Sequence, residues 1–238
     1  LDPAMREGTR FVGPFVALWF VLSMIPFFLW VREPASKSVS MARSVKNGMR
    51  DLTKTLRSLP SRHSLFAFLG SSMFYRDALN GVFTFGGIYA LGALEWSVVQ
   101  IGVFGILAAF TGAVFTFAGG FADQKFGPKP VIIFCILVLI SVCLVILTIS
   151  RESVLFQTVE ATSHLPDIAF YICGAVLGAV SGVLQSASRT MMVRQADPAR
   201  VTEAFGLYAL SGKATSFLAP GLIALASDVT NSQRLGIT

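Results

Sequence analysis

Charge is scarce in this chain. Asp, Glu, Lys and Arg make up 13% of its 238 residues, against roughly 25% in an ordinary soluble domain. The scarcity is concentrated. Phe11–Val31, Pro130–Ser150 and Ile168–Ser188 hold no charged residue over 21 positions each, and Trp96–Ala122 holds none over 27. Buried soluble helices would need a far larger polar complement elsewhere. About 20 apolar residues rising 1.5 Å each cross a hydrocarbon core of ~30 Å, so each of the four stretches reads as a membrane span. A mean hydropathy of +0.69 agrees. Ser64–Leu91 and Ala204–Ala226 are also long enough to span, although charges interrupt them. The expected fold is an all-α polytopic bundle with six spans.

Other things are missing too. Cys135, Cys143 and Cys173 lack metal or redox spacing and read as core residues. His63 and His164 stand alone in loops, and no His, Cys and carboxylate cluster or nucleophile–base pairing appears. The sequence therefore offers no catalytic residue and no metal site, and an enzyme is not expected. Gly206–Lys213 superficially resembles a phosphate loop. Its glycines, however, have five residues between them, Ala214 stands where Ser or Thr would meet magnesium, and the stretch lies in an apolar helix. Nucleotide binding is set aside, and no cofactor is expected beyond a proton or other coupling ion. The chain begins without an initiator Met or a signal sequence, and Gln233–Thr238 reads like the start of another apolar helix. The expectation is a fragment of a longer protein.

The charge that is present falls in a pattern. Residues 32–63 carry eight basic side chains (Arg32, Lys37, Arg43, Lys46, Arg50, Lys54, Arg57, Arg62) against Glu33 and Asp51. Lys125 and Lys129 mark the turn at 121–129, and Arg189, Arg194 and Arg200 mark 189–203. Basic loops stay on the cytoplasmic side, so these three segments are expected there, with the N-terminus outside. Within the first of them, Met41, Val45, Met49, Leu52, Leu56 and Leu59 recur at the period of one helix face, and cations occupy the others. That predicts a basic amphipathic helix against the inner leaflet, stopped by Pro60. The lipid bilayer is the expected partner. A nucleic-acid surface is not, because no supporting fold accompanies the cations.

The spans differ in character. The first and fourth are bulky and apolar and read as lipid-facing. The others carry Gly, Ser, Asn, Gln and Thr. Gly174, Gly178 and Gly182 line one face of the fifth, where another backbone can approach closely. Pro26 and Pro220 are expected to kink their helices. Three charges fall inside spans. From the cytoplasmic ends, Arg76 and Asp77 lie roughly 18–20 Å along the second span and Lys213 about 15 Å along the sixth, all close to the midplane. A charge there costs roughly 2.5–3.5 kcal/mol. One reading is structural, with Asp77 neutralising Arg76 or Lys213. The other is a solute pathway, which Asn80, four residues from Arg76 on the same face, would join.

The turn after the third span carries a more specific pattern. Gly119-Gly120-Phe121-Ala122-Asp123-Gln124-Lys125-Phe126-Gly127-Pro128-Lys129 resembles the cytoplasmic loop motif of the major facilitator superfamily, with one extra residue between Asp123 and Gly127 and Pro128 at a usually basic place. Three segments narrow the resemblance: Tyr75-Arg76-Asp77-Ala78-Leu79-Asn80-Gly81 with Phe85–Ala90, Gln185-Ser186-Ala187-Ser188-Arg189, and Phe205–Lys213. They are similar to signatures of the bacterial branch related to the fungal autophagy-associated vacuolar amino-acid effluxers. The resemblance implies a twelve-helix carrier of which this chain supplies helices six to eleven. On that reading 1–31 is the last helix of the N-terminal half, 32–63 the cytoplasmic linker, and 64–238 most of the C-terminal half without its final helix.

It further implies that Arg76, Asp77, Asn80 and Gln185 line the substrate or ion pathway. Lys213, Asp123, Lys125, Lys129 and Arg189 then have gating or interhelical roles. The expected function is secondary active transport of a small solute, amino acids and efflux being suggested by the relatives. The expected location is a bacterial inner membrane, and the expected partners are the substrate and the missing N-terminal half. The alternative is a carrier-fold scaffold or sensor that moves nothing.

Overall fold

The computed structural model describes residues 7–32, 41–160 and 163–230. Lys37 and the apolar turn expected at 233–238 lie outside the described residues, as do the side chains of Met41, Arg43 and Lys46. The chain divides into two units, residues 1–51 and 52–238.

The first unit holds α1 (Glu7–Trp30) and most of α2 (Met41–Ser58). α1 runs unbroken through both Pro14 and Pro26. All side chains from Phe11 to Val31 are exposed, as a lipid-facing helix requires. Phe11, Phe15 and Trp19 follow one another up one face, with ring centroids 6.4 and 6.5 Å apart, the i, i+4 spacing that brings side chains together. α2 is the expected amphipathic helix, with Val45, Met49 and Arg50 exposed. It stops at Ser58, and Pro60 sits in the 3-10 turn Leu59–Ser61 that follows.

The second unit contains the end of α2, then α3 (His63–Ala93), α4 (Val98–Phe126), α5 (Pro128–Leu147), a two-stranded hairpin of β1 (Ser153–Val154) and β2 (Gln157–Thr158), α6 (Leu165–Gln195), α7 (Val201–Ala214) and α8 (Leu218–Thr230). Leu52 and Leu59 pack against one of its two apolar clusters, built around Leu65, Phe68, Leu184, Met192 and Tyr208. Thr55 also hydrogen-bonds Glu203 at the start of α7. The last turns of the amphipathic helix are thus docked on protein. The second cluster gathers Tyr89, Leu94, Trp96, Ile149 and Phe170.

α4 and α6 form the tightest pair, and glycine explains why. A Cβ on Gly178 would overlap the backbone of Ala108, and one on Gly182 would meet Thr116 and the backbone of Gly112. Their absence lets the two backbones touch. α4 starts with a capping box, in which the Ser97 hydroxyl accepts from the Gln100 N–H while the Gln100 side chain accepts from the Ser97 N–H. α5 departs from the expectation of a lipid-facing helix. Val131, Ile132, Cys135, Val142 and Ile146 are buried along one face. A helix apolar all round shows no preferred face in its sequence, so the face that packs was invisible there.

Among the described residues, five segments are long and apolar enough to cross a membrane: α1, α4, α5, α6, and Val201–Ala226, which joins α7 to α8. α3, at 31 residues, has the length, but Arg76, Asp77 and Asn80 lower its apolarity. The sixth expected span is therefore not one kinked helix. It is two helices broken at residues 215–217, five to three residues before Pro220. Proline has no N–H and its ring collides with the carbonyl four residues back, here that of Ser216, so a helix from above cannot run through. Proline is accepted in a first turn, and α8 begins two residues before it.

Candidate functional site

The break in the sixth span lies against the charged stretch of α3. Met73, Asp77 and Gly81 recur at i, i+4 and i+8 and so share one face of that helix. Each meets the break. The Thr215 hydroxyl donates to the Met73 carbonyl at 3.4 Å, and the Ala219 N–H donates to Asp77 Oδ2 at 2.8 Å. A Cβ on Gly81 would stand 2.9 Å from the Ala219 Cβ, so glycine there is what lets α8 approach. Asp77 is only 4% exposed, and its Oδ1 is buried without a hydrogen-bond partner among the described residues. A carboxylate at the first turn of a helix satisfies an orphan N–H and meets the positive end of the helix dipole. Breaking a helix inside a membrane frees backbone groups that need such partners.

Arg76, one residue earlier, points elsewhere. Its Nη1 donates to the Tyr208 carbonyl on α7 at 2.7 Å, and its guanidinium carbon lies 4.3 Å from the centre of the Tyr208 ring. Gly212 leaves room for it: any Cβ there would collide with the guanidinium. Tyr208 in turn stacks on Phe68, at 6.1 Å and 3°. Arg151 pairs with Asp167 and Arg200 with Glu203, whereas Arg76 and Asp77 form no ion pair among the described residues. Asp77 is thus held by a backbone amide, and Arg76 by a carbonyl and an aromatic face. Lys213 is exposed in the last turn of α7, the end of a helix that favours a cation.

Asn80 and Gln185 are exposed, on α3 and α6. Gln185 borders two recesses. One, of about 550 Å³, also includes Thr116, Ser186, Arg189 and Thr190. The other, of about 390 Å³, lies among α3, α4 and α6 and includes Ser181, whose buried hydroxyl lacks a partner among the described residues. Arg189, exposed, therefore shares a polar recess with Gln185. Asp123, 8% exposed, lies near the end of α4 with Oδ1 unpartnered among the described residues. Lys125 and Lys129 are exposed beside it, and Gly127, at φ 84°, ends α4 and starts α5. The structure brings Asp77 to the α7–α8 joint, Arg76 to α7, Gln185 and Arg189 to one recess, and Asp123, Lys125 and Lys129 to one turn.

Several contributors escaped the sequence reading. Gly212 and Ala219 act through shape and backbone, which composition does not mark, and the Tyr208 and Thr215 side chains matter only for where the fold places them; Pro220 signalled only a kink. Tyr75 hydrogen-bonds Ser188 at 2.7 Å, tying α3 to α6. At the opposite end, the Asp167 carboxylate accepts from Trp96 Nε1 at 2.6 Å and from Arg151 Nη1 at 3.0 Å, with His164 Nδ1 3.6 Å away. His164, isolated in sequence, is not isolated in space.

A family described as "Vacuole effluxer Atg22 like" matches residues 6–238. Autophagy-related protein 22 of Botryotinia fuckeliana is 24% identical over 97% of this chain and 37% of its own length. An uncharacterized MFS-type transporter, YxiO, of Bacillus subtilis is 23% identical over 93% of this chain and 48% of its own. Autophagy-related protein 22-2 of Emericella nidulans is 23% identical over 95% and 41%. This chain spans less than half the length of each of these relatives. No solved structure matches it. A helical membrane bundle whose match runs from residue 6 to its last residue leaves one assignment: the chain belongs to the Atg22-like effluxer family of major facilitator-type membrane proteins.

Proposed function

We propose that this chain is part of a secondary transporter that moves a small polar solute by alternating access, with the α7–α8 joint as a moving part. The observation that carries the reading is Asp77: a carboxylate buried in mid-helix, holding the first turn of α8 with one oxygen and leaving the other unpartnered. Broken helices near the midplane are where carriers bind substrates and coupling ions. In this reading Asp77 takes up and releases a proton or another coupling cation at Oδ1, and α8 shifts with its charge. Gln185, Arg189 and Asn80 face the solute. Lys213, Asp123, Lys125 and Lys129 form gating contacts, those of Asp123 being with the N-terminal half of the same carrier. The resemblance to vacuolar amino-acid effluxers makes amino acids the first solutes to try, and the family description makes outward movement the first direction.

The basic loops support an orientation with 32–63, 121–129 and 189–203 in the cytoplasm, in a bacterial inner membrane. Residues 1–31 then close the N-terminal half, 32–63 link the halves, and 64–238 form most of the second. The test is reconstitution of the intact protein in liposomes, with labelled amino acids and an imposed proton gradient. Gradient-dependent flux, reduced at least tenfold by Asp77→Asn and by Gln185→Ala, is the expected result. Flux unchanged in Asp77→Asn would remove Asp77 from the mechanism.

A further inference from the structure

An apolar groove of about 740 Å³ runs between three helices of the second unit. α4 lines it from Thr111 to Phe126, α5 from Pro130 to Val138, and α6 from Ala175 to Val183. Its lining hydroxyl is already used, since Thr111 donates to the carbonyls of Leu107 and Ala175, at 2.9 and 2.8 Å. The rest of the lining is apolar apart from the Cys135 thiol, and a surface of that kind favours an apolar occupant over water. From Thr111 to Phe126 the groove extends roughly 22 Å along the helix, more than the ~15 Å depth of one leaflet.

One end of the groove is basic. Phe126 and Pro130 line that end, and the Lys125 Nζ lies 5.3 Å from the centre of the Phe126 ring. Lys129 adjoins Pro130 and is exposed. The Arg194 guanidinium lies beside Gly127, 3.6 Å from where a Cβ would stand, and it too is exposed. Asp123, the acid of the 123–129 turn, is buried, so the exposed charges of that turn are the cations Lys125 and Lys129. The N-terminus of α5 adds its positive dipole end to the same place.

We infer that this groove is a lipid site, holding an acyl chain of an anionic phospholipid whose phosphate rests on Lys125, Lys129 and Arg194. The chain buries apolar surface that would otherwise be left as an irregular cleft. The headgroup takes the three cations, each worth about fivefold in affinity at an anionic surface. The inference does not depend on what the carrier moves, or on whether it moves anything.

The test uses the intact protein, delipidated in detergent and titrated with phosphatidylglycerol or phosphatidylcholine of identical acyl chains. Bound lipids are counted by native mass spectrometry. The expected result is phosphatidylglycerol held at least tenfold more tightly. Lys125→Gln, Lys129→Gln and Arg194→Gln should each lower its affinity about fivefold and leave phosphatidylcholine unaffected. All three side chains are exposed, so these changes leave packing intact, and Lys125→Arg should restore binding. Ala179→Phe, which fills the groove, should reduce occupancy by both lipids. Equal binding of the two lipids, or no response to the three charge changes, would overturn the headgroup assignment. Full occupancy in Ala179→Phe, or no lipid retained by the wild type because another part of the protein covers the groove, would overturn the site.

Discussion

Replacing Asp77 with Ala should loosen α8 locally while changing the stability of the whole bundle little. Two terms oppose each other. The bond from the Ala219 N–H to Asp77 Oδ2, at 2.8 Å, is charge-assisted and caps a helix, and losing such a cap costs about 1–2 kcal/mol. Removing the carboxylate also removes the buried, unpartnered Oδ1, a group whose desolvation penalty is about 1–3 kcal/mol. The terms nearly cancel in the global melt, so a thermal midpoint is the wrong readout. Local opening is the right one, because exchange of the amides in the first turn of α8 reports the cap alone. A loss of about 1–2 kcal/mol raises exchange in the 215–224 segment about 5- to 30-fold. Asp77→Asn keeps an acceptor for Ala219 and should raise it far less. Lys213→Ala, altering an exposed side chain two residues before the break, should leave it unchanged. Hydrogen–deuterium exchange by mass spectrometry on the intact protein makes the comparison. If exchange in Asp77→Ala stays within about twofold of the wild type, the carboxylate does not hold the joint.

Two further outcomes test the packing around the site. Gly178→Leu drives a side chain into the backbone of Ala108, and should lower stability by about 1–3 kcal/mol or more. Gly105→Ala, at a position with open space around it, should be neutral or stabilising by up to about 1 kcal/mol, both read by thermal unfolding in detergent. Gly212→Ala displaces the Arg76 guanidinium and forfeits its bond to Tyr208, for a loss of about 1.5–3 kcal/mol. In an Arg76→Ala background the same change should cost much less, and an additive double-mutant cycle would refute the contact.

Much of the architecture was legible in the residues. Charge-free runs of span length, the 3–4 spacing of Met41 to Leu59 and the Gly174–Gly178–Gly182 stripe are local patterns. Chain periodicity and hydrocarbon thickness suffice to interpret them. The site was legible only as a set of misplaced charges. Sequence allowed Asp77 to be a counter-ion to Arg76 or Lys213, because adjacency and equal depth do not say which way side chains point. In a helix neighbouring residues point about 100° apart, and the structure uses that divergence. Arg76 reaches α7, while Asp77 reaches the start of α8.

The sequence by itself determined that this is a helical membrane protein, where its spans lie, and that α3 and the last span carry charges at a depth where charges are rare. Those are statements about transfer of each segment from water to lipid, which depends on composition and length alone. Only the tertiary structure decided that the last span is two helices, that its broken end is received by Asp77, and that α5 packs one face while leaving the rest outward. Each of these depends on which backbone groups lack partners and which neighbour supplies them. That is a property of pairs of helices, not of any one stretch of chain.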